Sequence, residues 1–108
     1  MTDTGKSLDD HELARALAIT AGAVLLNVQQ SALLTGKTLG AVGDRVAHRF
    51  LADALETLRP HDRVLSEEGD GTVTGEESGS RIWIVDPLDG TREFSEGRTD
   101  WAVHVALV

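Results

Sequence analysis

A chain of 108 residues has room for one small domain, which buries roughly 65% of the surface its unfolded form exposes. Its 10 Lys plus Arg against 18 Asp plus Glu leave a formal charge of -8, a field that argues against nucleic-acid polymers and anionic membranes as partners. Cysteine is absent, so disulfides and thiolate metal sites are excluded.

A small anionic substrate remains admissible, because a bound divalent cation inverts the field locally. The N-terminus MTDTGKSLDDHE is polar and acidic, and the longest apolar stretch, AGAVLL, is far too short to span a bilayer. The expected location is therefore the cytoplasm.

Asp9 followed by Glu12 has the spacing of a capping box. Behind it Leu13, Leu17, Ala21, Val24 and Val28 recur at helical spacing, so the pattern predicts an amphipathic helix from residue 10 to about 34, weakened by Gly22. The segment TGKTLGAVG, 35–43, reads as a glycine-punctuated loop. Its Gly36-Lys37-Thr38 is not a phosphate loop, since that motif needs a glycine where Ser31 stands. A second helix is expected to begin at Asp44, with Ala47, Leu51, Ala54, Leu55 and Leu58 as its apolar stripe and Arg59-Pro60 as its end.

RVLSEE, 63–68, is a short strand ending in two carboxylates, and GDGTVTGEESGS, 69–80, is an acidic loop that lacks the calcium-loop pattern. RIWIV, 81–85, is a strand that delivers Asp86, and WAVHVALV, 101–108, is a final strand. That strand is expected to leave an unpaired edge and part of its apolar face exposed.

Acid therefore gathers at element boundaries: Asp44, Glu67 and Glu68, Asp86 and Asp89. Carboxylates brought together repel one another and have raised pKa values unless a cation compensates them. A hard divalent metal with oxygen ligands is the economical compensator, and magnesium suits a few carboxylates plus water and substrate phosphate. Zinc fits poorly without cysteine and with scattered histidines. A chain turning sharply at Pro87 lets Asp86 and Asp89 reach one cation and frees the Leu88 carbonyl to help. Gly90 then permits close backbone approach to an anion, and the Gly90 and Thr91 amides, opening a helical turn through Glu93 and Phe94, point at a phosphate.

DPLDGT, 86–91, resembles the Asp-Pro-hydrophobic-Asp-Gly-Thr motif of the inositol monophosphatase superfamily of magnesium-dependent, lithium-sensitive phosphatases. The superfamily's upstream acidic pair matches Glu67 and Glu68 in LSEE, and its aspartate at the head of the second helix matches Asp44. GEES, 75–78, is a decoy: Glu76 lies only ten positions before Asp86 and follows a loop. The continuation Arg92-Glu93-Phe94 is similar to that of the 3'(2'),5'-bisphosphate nucleotidase (CysQ-like) branch, where inositol monophosphatases usually have Thr-Asn-Phe.

The resemblance covers residues 10 to 108 but only the N-terminal portion of the superfamily's length. It implies an α/β (α+β layered) fold in which residues 1–108 are the N-terminal half of a single domain, two helices packed on a largely antiparallel sheet. It implies two or three Mg2+ ions held by Glu67, Asp86, the Leu88 carbonyl and Asp89. Asp89, Gly90 and Thr91 then hold the substrate phosphate, and Thr91 with Glu67 or Asp44 orients the attacking water.

The implied reaction is removal of the 3'-phosphate of 3'-phosphoadenosine 5'-phosphate or its sulfate, a step tied to sulfur assimilation, with little turnover by this chain alone. Inositol-1-monophosphatase or fructose-1,6-bisphosphatase activity, and a non-catalytic metal- or partner-binding remnant, stay open as alternatives, as does a homodimer. Structural roles compete with the functional ones: an Asp-Pro turn for Asp86, Asp89 and Thr91, a solvated strand end for Glu67 and Glu68, and an N-cap for Asp44. His104, alternating with Ala102 and Ala106, is expected to pack against a helix; His11, His48 and His61 are expected at the surface, and Trp83 and Trp101 in or beside the core. Arg92 either meets phosphate or covers the acidic site.

Overall fold

Two long helices lie against one face of a four-stranded sheet in the computed structural model, which describes residues 7–67, 73–74 and 81–108. In chain order the elements are α1 (Asp10–Gln30), α2 (Gly36–Leu58), β1 (Arg63–Ser66), β2 (Val73–Thr74), β3 (Ile82–Asp89), α3 (Thr91–Ser95) and β4 (Ala102–Leu107). Glu68 and most of the acidic loop, the GEES decoy included, lie outside the described residues.

The capping box forms: the Glu12 amide donates to Asp9 Oδ1 at 2.7 Å, and the Asp9 amide to Glu12 Oε1 at 3.3 Å. From there α1 buries Leu13, Leu17, Ala21 and Leu25, so its stripe shifts onto Leu25 where the sequence pattern had Val24. The helix stops at Gln30, short of residue 34, because Ala32 takes a left-handed φ of 59° that no helix can continue through.

The larger correction concerns α2, which starts at Gly36, so the segment expected as a loop is its first two turns. Asp44 consequently sits in the third turn and caps nothing. Each glycine inside a helix costs about 1 kcal/mol relative to Ala. Gly40 and Gly43 are buried and turned toward α3, where a Cβ would strike Thr91 Cγ2 at 3.1 Å or the Phe94 ring at 2.6 Å. Close packing is what requires them. Beyond them Ala47, Leu51 and Leu55 are buried as the stripe predicts, and the helix ends at Arg59. Arg59 ties that end to the start of α1, donating from Nε to Asp10 Oδ1 at 3.1 Å and from an NH2 group to the Leu8 carbonyl at 2.7 Å.

The sheet order is β2-β1-β3-β4. β1–β2 and β3–β4 are antiparallel and β1–β3 is parallel, so the sheet is mixed, with antiparallel pairing predominating. Alternation along β3 sends Trp83 and Val85 into the helices and leaves Ile82, Ile84 and Asp86 half-buried on the other face. Trp83 is fully buried, and its indole N–H donates to Asp62 Oδ2 at 2.9 Å, the partner a buried indole requires. With Leu13, Leu17, Ala21, Leu51, Leu55, Val64 and Val85 it forms one core cluster. A second cluster of Leu25, Leu39, Ala47, Leu88 and Phe94 supports the region around Asp44 and Thr91. β4 is an edge strand, and Val108 beyond it is 74% exposed. No helix among the described residues is long and apolar enough to cross a membrane.

Candidate active site

In a regular strand, residues three apart face opposite sides, so Asp86 and Asp89 should diverge. They converge because β3 bulges. Asp86 pairs with His104 and Asp89 with Ala102, so three steps along β3 are matched by two along β4. The extra residue restores the parity and returns Asp89 to the face of Asp86. The sharp turn expected at Pro87 is therefore not made: the strand runs on to Asp89, with Pro87 and Leu88 buried beneath it.

One ligand atom each from Asp86, Asp89 and His104 lies within 4.8 Å of the others, a group that could hold a metal ion. His104 Nε2 stands 3.0 Å from Asp89 Oδ2. The expectation that His104 packs against a helix is thus overturned. Its alternation with Ala102 and Ala106 holds, but the pairing with Asp86 puts that face of β4 opposite the helices. His48 is likewise half-buried instead of free at the surface, with Nδ1 2.9 Å from Ser66 Oγ. His11 and His61 are exposed as expected.

After Asp89 the chain turns at Gly90, whose φ of 94° favours glycine, and a Cβ there would lie 3.2 Å from the Trp101 Cα. The helical turn expected through Glu93 and Phe94 follows as α3. Phe94 is buried against Gly43 and meets Trp101 edge-on at 5.3 Å, and the Gln29 amide donates to the carbonyls of Phe94 at 3.0 Å and Arg98 at 2.8 Å. α1 and α2 thereby fix α3 in place.

That seating delivers the second half of the site. Thr91 Oγ1 donates to Asp44 Oδ1 at 3.0 Å and approaches the Leu88 carbonyl at 3.5 Å. Burial pushes the Asp44 carboxyl above its ordinary value; the Thr91 hydrogen bond opposes this, and the negative charge of Asp86 adds to it. Asp44 and Asp86 are thus close enough to repel. This uncompensated negative charge, together with an oxygen-dominated donor set, fits a hard divalent cation.

Glu67 follows β1 and donates its amide to the Val85 carbonyl at 2.9 Å, which sets it beside Asp86 on the neighbouring strand. Its carboxylate stays outside the Asp86, Asp89 and His104 group. The structure thus brings Asp44, Asp86, Leu88, Asp89, Gly90 and Thr91 together, holds Glu67 at their margin, and adds His104. Only the pairing of β4 with β3 reveals His104. Arg92 is exposed, with its Nε 3.4 Å from Glu96.

The sequence profile of the Inositol monophosphatase family matches residues 9–108. The chain is 48% identical over 107 residues to the 3'-phosphoadenosine 5'-phosphate phosphatase of Mycobacterium leprae, covering 97% of this chain and 39% of that protein. It is 42% identical over 65 residues to the 3'(2'),5'-bisphosphate nucleotidase CysQ of Escherichia coli, covering 60% of this chain and 26% of that one. The extragenic suppressor protein suhB of Bartonella henselae superposes with a TM-score of 0.76 at 29% identity, over 90% of this chain and 37% of that structure. The chain therefore spans well under half the length of these relatives.

Proposed function

The chain belongs to the inositol monophosphatase family, and from that premise we propose that it carries the metal and water-activating part of a magnesium-dependent phosphomonoester hydrolase. The substrate is 3'-phosphoadenosine 5'-phosphate or its sulfate, which loses its 3'-phosphate. The observation that carries this reading is the β3 bulge, which sets Asp86 and Asp89 on one face beside the Asp44–Thr91 pair. The name of the Mycobacterium leprae relative and the Arg92-Glu93-Phe94 continuation support the substrate.

Asp86, Asp89 and the Leu88 carbonyl would hold two or three magnesium ions, with Glu67 reaching in from the margin, and His104 steadies Asp89. When bound, the magnesium neutralises the phosphate and lowers the pKa of a coordinated water. The Gly90 and Thr91 amides and Asp89 position the phosphate. Asp44 takes the hydrogen bond of the Thr91 hydroxyl, which leaves the Thr91 oxygen lone pairs to accept from the attacking water and aim it at phosphorus. A covalent phosphoenzyme is not part of this reading.

Residues 1–108 act as the N-terminal part of a single such domain. The Asp89 and His104 side chains are 61% and 58% exposed, so bulk water enters the site and weakens every electrostatic contact in it. The chain alone therefore binds magnesium weakly and turns over little. The same reading carries a cytoplasmic location, a small phosphorylated substrate, and a homodimer as the assembly to test.

The test is phosphate release from 3'-phosphoadenosine 5'-phosphate by the purified chain, with and without lithium, beside calorimetric magnesium binding and an Asp89→Asn control. Magnesium binding that disappears in the control, with little release, supports the reading. Robust release contradicts the low turnover, and absence of both binding and release contradicts the assignment. Preference of a longer relative for inositol phosphate would favour the inositol monophosphatase alternative.

A further inference from the structure

Among the described residues several arginines are engaged by acids: Arg49 by Asp53, Arg59 by Asp10, Arg81 by Asp10 and Asp62, and Arg98 by Asp100. Two cations held less tightly than these line a common cleft. Lys37, in the first turn of α2, has no acidic partner among the described residues. Arg92, in α3, touches Glu96 only through Nε at 3.4 Å, with its side chain 85% exposed. Glu96 also has Arg98 NH1 at 3.7 Å, so it keeps a partner if Arg92 turns away.

Both cations line one cleft of about 480 Å³ between α2 and α3, together with Gly40, Ala41, Asp44 and Thr91. Gly40, which has no side chain, and Ala41 fill little of it. The cleft therefore continues directly from the pair proposed to aim the attacking water, and its two positive groups outnumber the single Asp44 carboxylate.

We propose that this cleft is the subsite for the second phosphate of a bisphosphate substrate, with Lys37 and Arg92 as its anion-binding walls. The inference rests on the phosphatase reading above and specifies how that site selects its substrate. A guanidinium meets a phosphate through two parallel N–H donors, and an ammonium adds a compact point charge. In a chain of net charge -8, a second phosphate gains affinity where the cations facing it outnumber the acids. A substrate with one phosphate leaves this cleft empty, so Lys37 and Arg92 separate nucleoside bisphosphates from monophosphate esters.

The test is nitrogen-15 NMR titration of the purified chain in magnesium buffer with 3'-phosphoadenosine 5'-phosphate and, separately, adenosine 3'-monophosphate. The proteins compared are the parent, Lys37→Ala, Arg92→Ala, the double variant, Asp89→Asn, and Arg49→Ala as a distant control. The parent should bind the bisphosphate more tightly, with shifts at Lys37, Ala41 and Arg92 that the monophosphate does not cause. Charge-assisted contacts of this kind predict a loss of about tenfold or more for the bisphosphate in the double variant. Monophosphate binding should be unchanged, and Arg49→Ala should match the parent. Selectivity that survives in the double variant overturns the subsite. Equal binding of both ligands by the parent, lost in Asp89→Asn, overturns the subsite and leaves the phosphatase reading standing. Binding of neither ligand overturns both.

Discussion

Gly43→Ala tests the packing that builds the site. The added Cβ would stand 2.6, 3.1 and 3.2 Å from three atoms of the Phe94 ring, where ordinary carbon contacts lie at about 3.5–4.0 Å. Phe94 is fully buried and braced edge-on by Trp101, so the ring cannot swing aside. Relief requires α2 and α3 to part by about 1 Å, which would stretch the 3.0 Å Thr91–Asp44 bond beyond hydrogen-bonding range. Overpacking of this kind costs about 1–3 kcal/mol, against about 1 kcal/mol regained by replacing glycine within a helix. The net expectation is destabilisation by up to about 2 kcal/mol.

Gly22→Ala is the matched control. It also lies inside a helix, its Cβ would meet nothing within 4 Å, and it should stabilise by about 0.5–1 kcal/mol. Urea denaturation of the three proteins measures the gap, expected at about 2 kcal/mol between the variants. A Gly43→Ala protein as stable as Gly22→Ala would refute the close-packing argument.

Asp62→Ala strands the buried Trp83 indole N–H and should cost about 1–3 kcal/mol by urea denaturation, whereas Asp62→Asn keeps an acceptor and should recover most of it. The carboxyl of Asp44 is raised by burial, so the fold favours its protonated form; that stability is present below the ordinary value of 3.8 and is lost as pH rises through the folded value. In metal-free buffer Asp44→Asn should therefore raise Tm at neutral pH, with the gain fading toward pH 3.8, and a constant difference across pH would count against the assignment. Gly90→Ala combines a left-handed φ of 94° with a Cβ 3.2 Å from the Trp101 backbone, and should cost about 1–3 kcal/mol while weakening magnesium binding. Parent-like stability and calorimetry would contradict the strain argument.

What could be read from the sequence was whatever depends on near neighbours. The capping box of Asp9 and Glu12, the stripes of α1 and α2, and the acids at strand ends are all local patterns. The start of α2 is not legible in the sequence because Gly36, Gly40 and Gly43 look like loop punctuation. Their three- and four-residue spacing is also that of one helix face, and only the presence of Thr91 and Phe94 against that face separates the two readings.

The bulge was illegible for a related reason. Whether aspartates three apart share a face depends on how β4 pairs with β3, and that pairing involves residues 102–104, well downstream. Alternation shows that His104 shares a face with Ala102 and Ala106 but not which face meets the helices, so the pattern alone leaves its side of the sheet open. Glu67 stands beside Asp86 on the neighbouring strand. Its carboxylate, however, points where only the side-chain geometry could show, outside the Asp86, Asp89 and His104 group.

The most direct test of the proposed metal site is paramagnetic broadening by substoichiometric Mn2+, which carboxylate oxygens bind much as they bind magnesium. Amide signals of Asp86, Asp89, His104 and Thr91 should vanish first, magnesium should restore them, and Asp89→Asn should retain them throughout. Broadening centred elsewhere, or unchanged in Asp89→Asn, would contradict the site.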